Sequence, residues 1–368
     1  MYRLRLPLVV AAVVVSLLGG SGHRLAWTVA AAPLGDDDVP AASAITSWLL
    51  TLDVTDPARM QPVGERQSVN GLVYGLVADE QYAYAAVAEN GLAVLLLGGA
   101  AAETAPVDYR LLSDTPGLYL AAPAVARDGR YAYVAAGRSL RVLDLREPTQ
   151  PALVGVAELP TIGQGVAVSG QYAYVPAGDY GLLIVDVSDP AAPRLVASQI
   201  LTEFAHRIAS SALAVAVAGQ FAYVAAGSGG MQIVDVSAPT SPRVVGVYGA
   251  PEQTTAVAVA GPYAYVADYA DSLHVVDVSD PARPHVVATY DPPSAVRGLA
   301  VADGRAYLAT GRCGLRILNL QDRRGPVEVG AYLPEGLVES VAVANSVAAI
   351  AVTPGDRARA GACSRSES

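Results

Sequence analysis

Five aspartates recur at one position of a repeated stretch: Asp53, Asp144, Asp186, Asp235 and Asp277. Three of the stretches read LLIVDVSDP from Leu182, MQIVDVSAP from Met231 and LHVVDVSDP from Leu273. A second Asp precedes Pro at Asp56, Asp189 and Asp280. Recurrent carboxylates suit a hard cation such as Ca²⁺, but that ion takes roughly six to eight oxygens converging on one point. One Asp per repeat spreads them out instead. The alternative is a turn in which each carboxylate accepts backbone N–H groups as the chain enters the next strand. The five are therefore expected to be structural turn residues, with no metal site and no cofactor.

Better ligand-binding candidates lie where the repeats differ although their neighbours match. The residue before the first strand of each unit is Tyr74, Pro123, Gln164, Leu213, Thr255, Arg297 or Glu339. These should line one mouth of a central channel. A loop opening on the same face varies as AENG (88–91), AGRS (136–139), AGDYG (177–181), AGSGG (226–230), ADYADS (267–272) and TGRCG (310–314). A longer insertion, LTEFAHRIASS (201–211), is expected there too. Loops on a rigid scaffold are where binding residues concentrate. The candidates are Tyr180, His206, Asp268, Tyr269, Asp271, Arg297, Arg312 and Glu339. Arg297 and Glu339, on adjacent units, also read as a surface ion pair worth under about 1 kcal/mol.

Searches for catalytic patterns find no His-Glu-x-x-His, no Gly-x-Ser-x-Gly and no phosphate-cradling glycine loop. Three histidines lie beyond the expected signal peptide, His206, His274 and His285. No spacing among them marks a metal site.

The elements holding these residues repeat. A Tyr-Ala-Tyr or close variant follows a polar turn in EQYAYAAV, GRYAYVAA, GQYAYVPA, GQFAYVAA, GPYAYVAD and GRAYLATG, with the second aromatic at Tyr84, Tyr133, Tyr174, Tyr223, Tyr265 and Tyr307. The period is about 42 residues, a spacing typical of propeller blades. Each unit reads as four short strands with period-2 patterns between Gly, Pro and Asp clusters, for example 165–170, 171–178, 181–188 and 193–198. Helices should be scarce. The Tyr pairs read as packing between blades, not as a stacking platform for sugars. One such sheet cannot cover both its faces, so blades stack around an axis.

The ends show how the ring closes. Residues 48–65 match only the second half of a unit, and 338–352 only the first half. Joining them removes open sheet edges. Six whole units and this composite predict an all-β, seven-bladed β-propeller of four-stranded antiparallel blades over 48–352.

The repeats resemble those of the LVIVD-repeat family of exported bacterial β-propellers. The run that carries the resemblance is the LLIVDVSDP type, and it covers about residues 48–352. The resemblance implies a propeller at a cell surface or outside the cell, and no defined reaction. The pattern departs from the family at Leu96 and Asn319, which occupy the Asp position.

Bulk properties narrow the setting. The net charge of −10 argues against nucleic acid as partner, because phosphate binding needs a concentrated basic face. MYRLRLPLVVAAVVVSLLGG has the layout of a secretory signal peptide. Residues 1–31 are read as that peptide, 32–47 as a linker and 353–368 as a disordered tail. An exported chain permits a Cys313–Cys363 disulfide, though two scattered cysteines leave their pairing open. The expectation is a secreted or cell-surface monomer, without a stable membrane span, that binds a protein, peptide or glycan on its loop-rich face. The competing reading is a hydrolase, lyase or oxidoreductase with Arg297, Glu339 and His206 at the channel mouth.

Overall fold

The computed structural model describes residues 13–14, 28–29, 46–87, 91–97, 124–148, 150–201, 212–250, 252–268, 272–321, 325–355 and 363. It is an all-β propeller of seven antiparallel blades, with the strands of each blade numbered one to four from the axis outward. The third blade runs Ala167–Ser169, Tyr172–Pro176, Leu182–Asp186 and Arg194–Gln199. The second, fourth, fifth and sixth blades repeat this order over 124–158, 214–248, 254–290 and 298–332. In the first blade three strands are described, Val73–Ala78, Tyr82–Val87 and Gly91–Leu96. Helix among the described residues is limited to one 3-10 turn, Pro57–Arg59. Among the described residues no helix is long and apolar enough to cross a membrane. Val13–Val14 and Thr28–Val29 pair as a separate two-stranded ribbon.

The seventh blade is the composite one. Leu337–Ala344 and Val347–Thr353 supply its first two strands, and Thr46–Asp53 the third. Trp48 pairs with Val352 and Asp53 with Val347. The third strand thus begins at Thr46, two residues before the repeat match. The fourth position is split: Gln61–Pro62 pairs with the end of Thr46–Asp53, and Gln67–Asn70 with its start. Pro62 lacks an N–H, and Gly64 follows with φ of 80°, so the edge breaks there.

The alternating pattern explains the core. The second aromatic of each repeat is buried, as with Tyr84, Tyr133 and Tyr174, while the first is half-buried at Tyr82, Tyr131 and Tyr172. Burial raises the phenols of Tyr133, Tyr174 and Tyr265 to about 12. The intervening Ala173 and Ala222 are fully buried. One continuous cluster joins Tyr133 and Val142 of the second blade to Val175 and Leu183 of the third and Val224 of the fourth. Each blade therefore covers its neighbour's face, which no isolated four-stranded sheet manages.

The Asp-Pro turn has a packing role between blades. A Cβ added to Gly155, in the fourth strand of the second blade, would fall 2.1 Å from the Pro190 carbonyl oxygen of the third. Gly246 meets Pro281 at 1.8 Å and Gly330 meets Pro57 at 2.0 Å in the same way. Only glycine lets the following blade's proline turn seat this closely against the outer strand.

Candidate binding face

The recurring aspartates are each committed to a local turn. Asp186 Oδ1 accepts the Ser188 N–H at 3.0 Å, and Asp53, Asp144, Asp235 and Asp277 accept from Thr55, Arg146, Ser237 and Ser279 at 2.8–2.9 Å. Asn319 makes the same bond to Gln321 N–H at 2.9 Å. The Ser188 hydroxyl and N–H, helped by Arg194, hold Asp186 below its usual 3.8. In the second blade the Arg130 guanidinium is the main influence holding Asp144 well below that range. Asp56, Asp189 and Asp280 accept from Ala58, Ala191 and Ala282 two residues on, at 3.0–3.1 Å. A bulge between third and fourth strands sits just before the Asp, as at Ile184/Val185, and turns the chain toward it. Among the described residues no group of three or more His, Cys, Asp or Glu is placed to hold a metal ion.

The opposite face carries the variable loops. Ala177, Ala226 and Thr310 each donate their N–H to the carbonyl of Gly181, Gly230 or Gly314 at 2.8 Å. Glycines at both ends of each loop have positive φ, such as 57° at Gly178 and 71° at Gly181. The first glycine also bridges to the next blade, Gly178 to Ala212, Gly227 to Thr254 and Gly311 to Val338. Three copies of one backbone thus hold up different pairs: Asp179-Tyr180, Ser228-Gly229 and Arg312-Cys313. Tyr180 is 49% exposed, and Arg312 is also exposed.

Arg297 and Glu339 do meet, Nη1 to Oε2 at 2.8 Å, but not as a surface pair. The Glu339 side chain is 6% exposed, and Thr353 donates its hydroxyl to the other oxygen at 3.1 Å. Burial is the largest influence on this carboxyl and raises its pKa, against Arg297 and Thr353. Asp268 turns inward instead: its Oδ2 lies 2.9 Å from His274 Nε2, with both side chains buried. Tyr269, Asp271 and His206 lie outside the described residues.

Sequence reasoning passed over a set of aromatic positions on this same face. Tyr248, Tyr290 and Tyr332 end the fourth strands of three successive blades and recur at the repeat period. In the gap after the fourth blade, the Tyr248 ring lies 5.9 Å from that of His274. After the fifth, Tyr290 donates its hydroxyl to Glu328, which pairs with the buried Arg316 at 2.8 Å. After the sixth, Tyr332 borders an open groove of about 220 Å³ with Trp48, Arg66 and Glu335. The signal was the phase of those tyrosines, overshadowed by the stronger Tyr-Ala-Tyr repeat.

Arg316 also anchors the C-terminal segment. Cys313 and Cys363 are joined by a disulfide with Cα atoms 5.4 Å apart. Cys363, which falls in the stretch expected to be a disordered tail, is thereby tied to the loop of the sixth blade; 356–362 and 364–368 lie outside the described residues.

With this geometry in hand, four stretches, 121–157, 162–199, 209–249 and 252–292, match the LVIVD repeat. The protein is an LVIVD-repeat propeller. The matched repeats coincide with the second to fifth blades, where the Asp-bearing third strands are most regular. No match was found among curated proteins. Several solved structures share the fold. The computationally designed Ika8 protein is 12% identical with a TM-score of 0.53, over 85% of this chain and 96% of that one. The Cps50 (Swd1) β-propeller domain of Myceliophteria thermophila is 12% identical with a TM-score of 0.55, over 76% and 97%. A functionally unknown protein from Desulfotomaculum acetoxidans DSM 771 is 10% identical with a TM-score of 0.56, over 77% and 98%. At these identities the LVIVD-repeat propeller shares architecture with them, and activity does not transfer.

Proposed function

We propose that this LVIVD-repeat propeller is an exported, non-enzymatic scaffold that binds a protein, peptide or glycan on its loop-rich face. One observation carries the reading. Glycine-bounded loops of one backbone geometry present Asp179-Tyr180, Ser228-Gly229 and Arg312-Cys313 at equivalent places. A fixed frame with changeable tips is the usual arrangement of a recognition surface. Four titratable groups of this face are occupied with one another, Arg297 with Glu339 and Asp268 with His274. Export is supported by the N-terminal Arg3, Arg5 and apolar run, and by the Cys313–Cys363 bond, which suits an oxidising compartment.

The test is array binding. The full chain is applied to peptide and glycan arrays beside Tyr180→Ala and Arg312→Ala variants. Binding that either variant weakens supports the loop face. Binding that neither changes removes these loops from consideration. Turnover of an arrayed compound would favour the enzyme reading.

A further inference from the structure

We infer that the groove between the sixth and composite blades is a subsite for one neutral sugar ring. The inference rests on the scaffold reading, since it names a ligand and a place on that same face. Three successive blades put a tyrosine at the outer end of the gap to the next blade. Two gaps are filled: Tyr248 is 8% exposed beside His274, and Tyr290 is 2% exposed against Glu328. At the third, Tyr332 is only half-buried and the space stands open. The composite blade causes this. Its fourth strand is broken between Pro62 and Gln67, and the break puts Arg66 and the half-buried Trp48 on the rim in place of a continuous edge.

The lining sets the ligand class. Trp48 and Tyr332 supply aromatic surface, and Leu333 and Pro334 add an apolar wall. Such surfaces accept the C–H face of a sugar as they accept other apolar groups. Arg66 brings a fork of N–H donors, with its Cζ 4.8 Å from the Trp48 ring centroid, and Glu335 brings acceptors. One cation and one anion leave the groove balanced in charge. A uronate or peptide carboxylate would meet Glu335, and an amine would meet Arg66, so a neutral polyol is the better match. The volume, about 220 Å³, falls below the roughly 300 Å³ where pockets for drug-sized ligands begin. That leaves room for a single ring at a chain end, not for a bound strand or helix.

The experiment titrates the full chain with neutral oligosaccharides (maltose, cellobiose, chitobiose and mannobiose) and with galacturonic acid. Variants are Trp48→Ala, Glu335→Ala and Tyr180→Ala, each checked by thermal unfolding. At least one neutral sugar should bind and galacturonic acid should bind more weakly. Trp48→Ala and Glu335→Ala should each weaken binding at least about tenfold. Glu335 lies on an exposed connection, so its variant reports even if Trp48→Ala fails to fold. Sugar binding that follows Tyr180 instead of Glu335 overturns the subsite and leaves the scaffold reading standing. Absence of neutral-sugar binding also overturns it, and the peptide arrays then decide the scaffold reading by themselves.

Discussion

The guanidinium of Arg316 holds both halves of the disulfide: its Nε donates to the Cys313 carbonyl at 3.1 Å and its Nη2 to that of Cys363 at 2.8 Å. The side chain is 7% exposed and carries Glu328 as counter-ion, so the C-terminal segment is seated on a buried ionic network as well as on a covalent bond.

Breaking the covalent part should therefore be costly. The bond spans a sequence separation of 50 residues, and closing a loop of that size stabilises a fold by about 2–4 kcal/mol. Cys363→Ser should lower the urea midpoint accordingly, and reductant should bring the unaltered protein to the same value. Equal midpoints with and without reductant would count against this.

Glu339 gives a pH dependence. Its folded pKa is raised above the usual 4.5 by burial, so its stabilising contribution is full below 4.5 and is lost as pH rises through the folded value. Glu339→Gln should flatten that part of the stability profile. Arg297→Ala leaves the carboxylate facing Thr353 without a cation and should cost about 3 kcal/mol, the low end for a buried pair, because Arg297 is partly exposed. Adding Glu339→Gln to Arg297→Ala should recover most of that loss in urea titrations.

The turn aspartates act at the other end of the scale. Their folded pKa values are lowered from 3.8, so the stability they give is present above 3.8 and lost as pH falls through the folded values. Asn319 shows that a neutral amide can make the same turn. Asp186→Asn should thus keep its neutral-pH melting temperature and lose less of it on acidification. Asp186→Ala should cost about 0.5 kcal/mol at neutral pH, the low end for an exposed hydrogen bond.

Blade contact can be tested at one atom. Gly246→Ala places a methyl 1.8 Å from the Pro281 carbonyl, so backbone must shift, at about 1–3 kcal/mol. Gly249→Ala, where nothing lies within 4 Å, should be neutral. Similar melting temperatures for the two variants would contradict the proposed seating of the proline turn.

What the sequence made legible follows its regularity. The Tyr-Ala-Tyr phase and the half units at 48–65 and 338–352 lead to the blade count and the closing blade, because each reflects local pattern and ring closure. The Asp186 type of turn was readable because Asp, Ser and Pro have their own backbone preferences. Glu339 read as a surface charge because its burial depends on Thr353 from the next strand, a contact no periodicity encodes. The Trp48–Tyr332 groove was hidden for the same reason: its walls come from opposite ends of the chain. The seating of Pro190 on Gly155 is also long-range, and its sequence trace was only an unremarked Gly in the fourth strand.

The join between Trp48 and Val352 also sets an order of events at the ribosome. Thr46–Asp53 is made early, yet its partner strand, Val347–Thr353, emerges about 300 residues later, which at about 5–20 residues per second is about 15–60 s. Through that interval an apolar strand waits with its main strand partner unmade, while the middle blades can already pack on one another. The ring's last joint is its first-synthesised piece, so truncated or stalled chains carry a sticky end that the finished protein conceals.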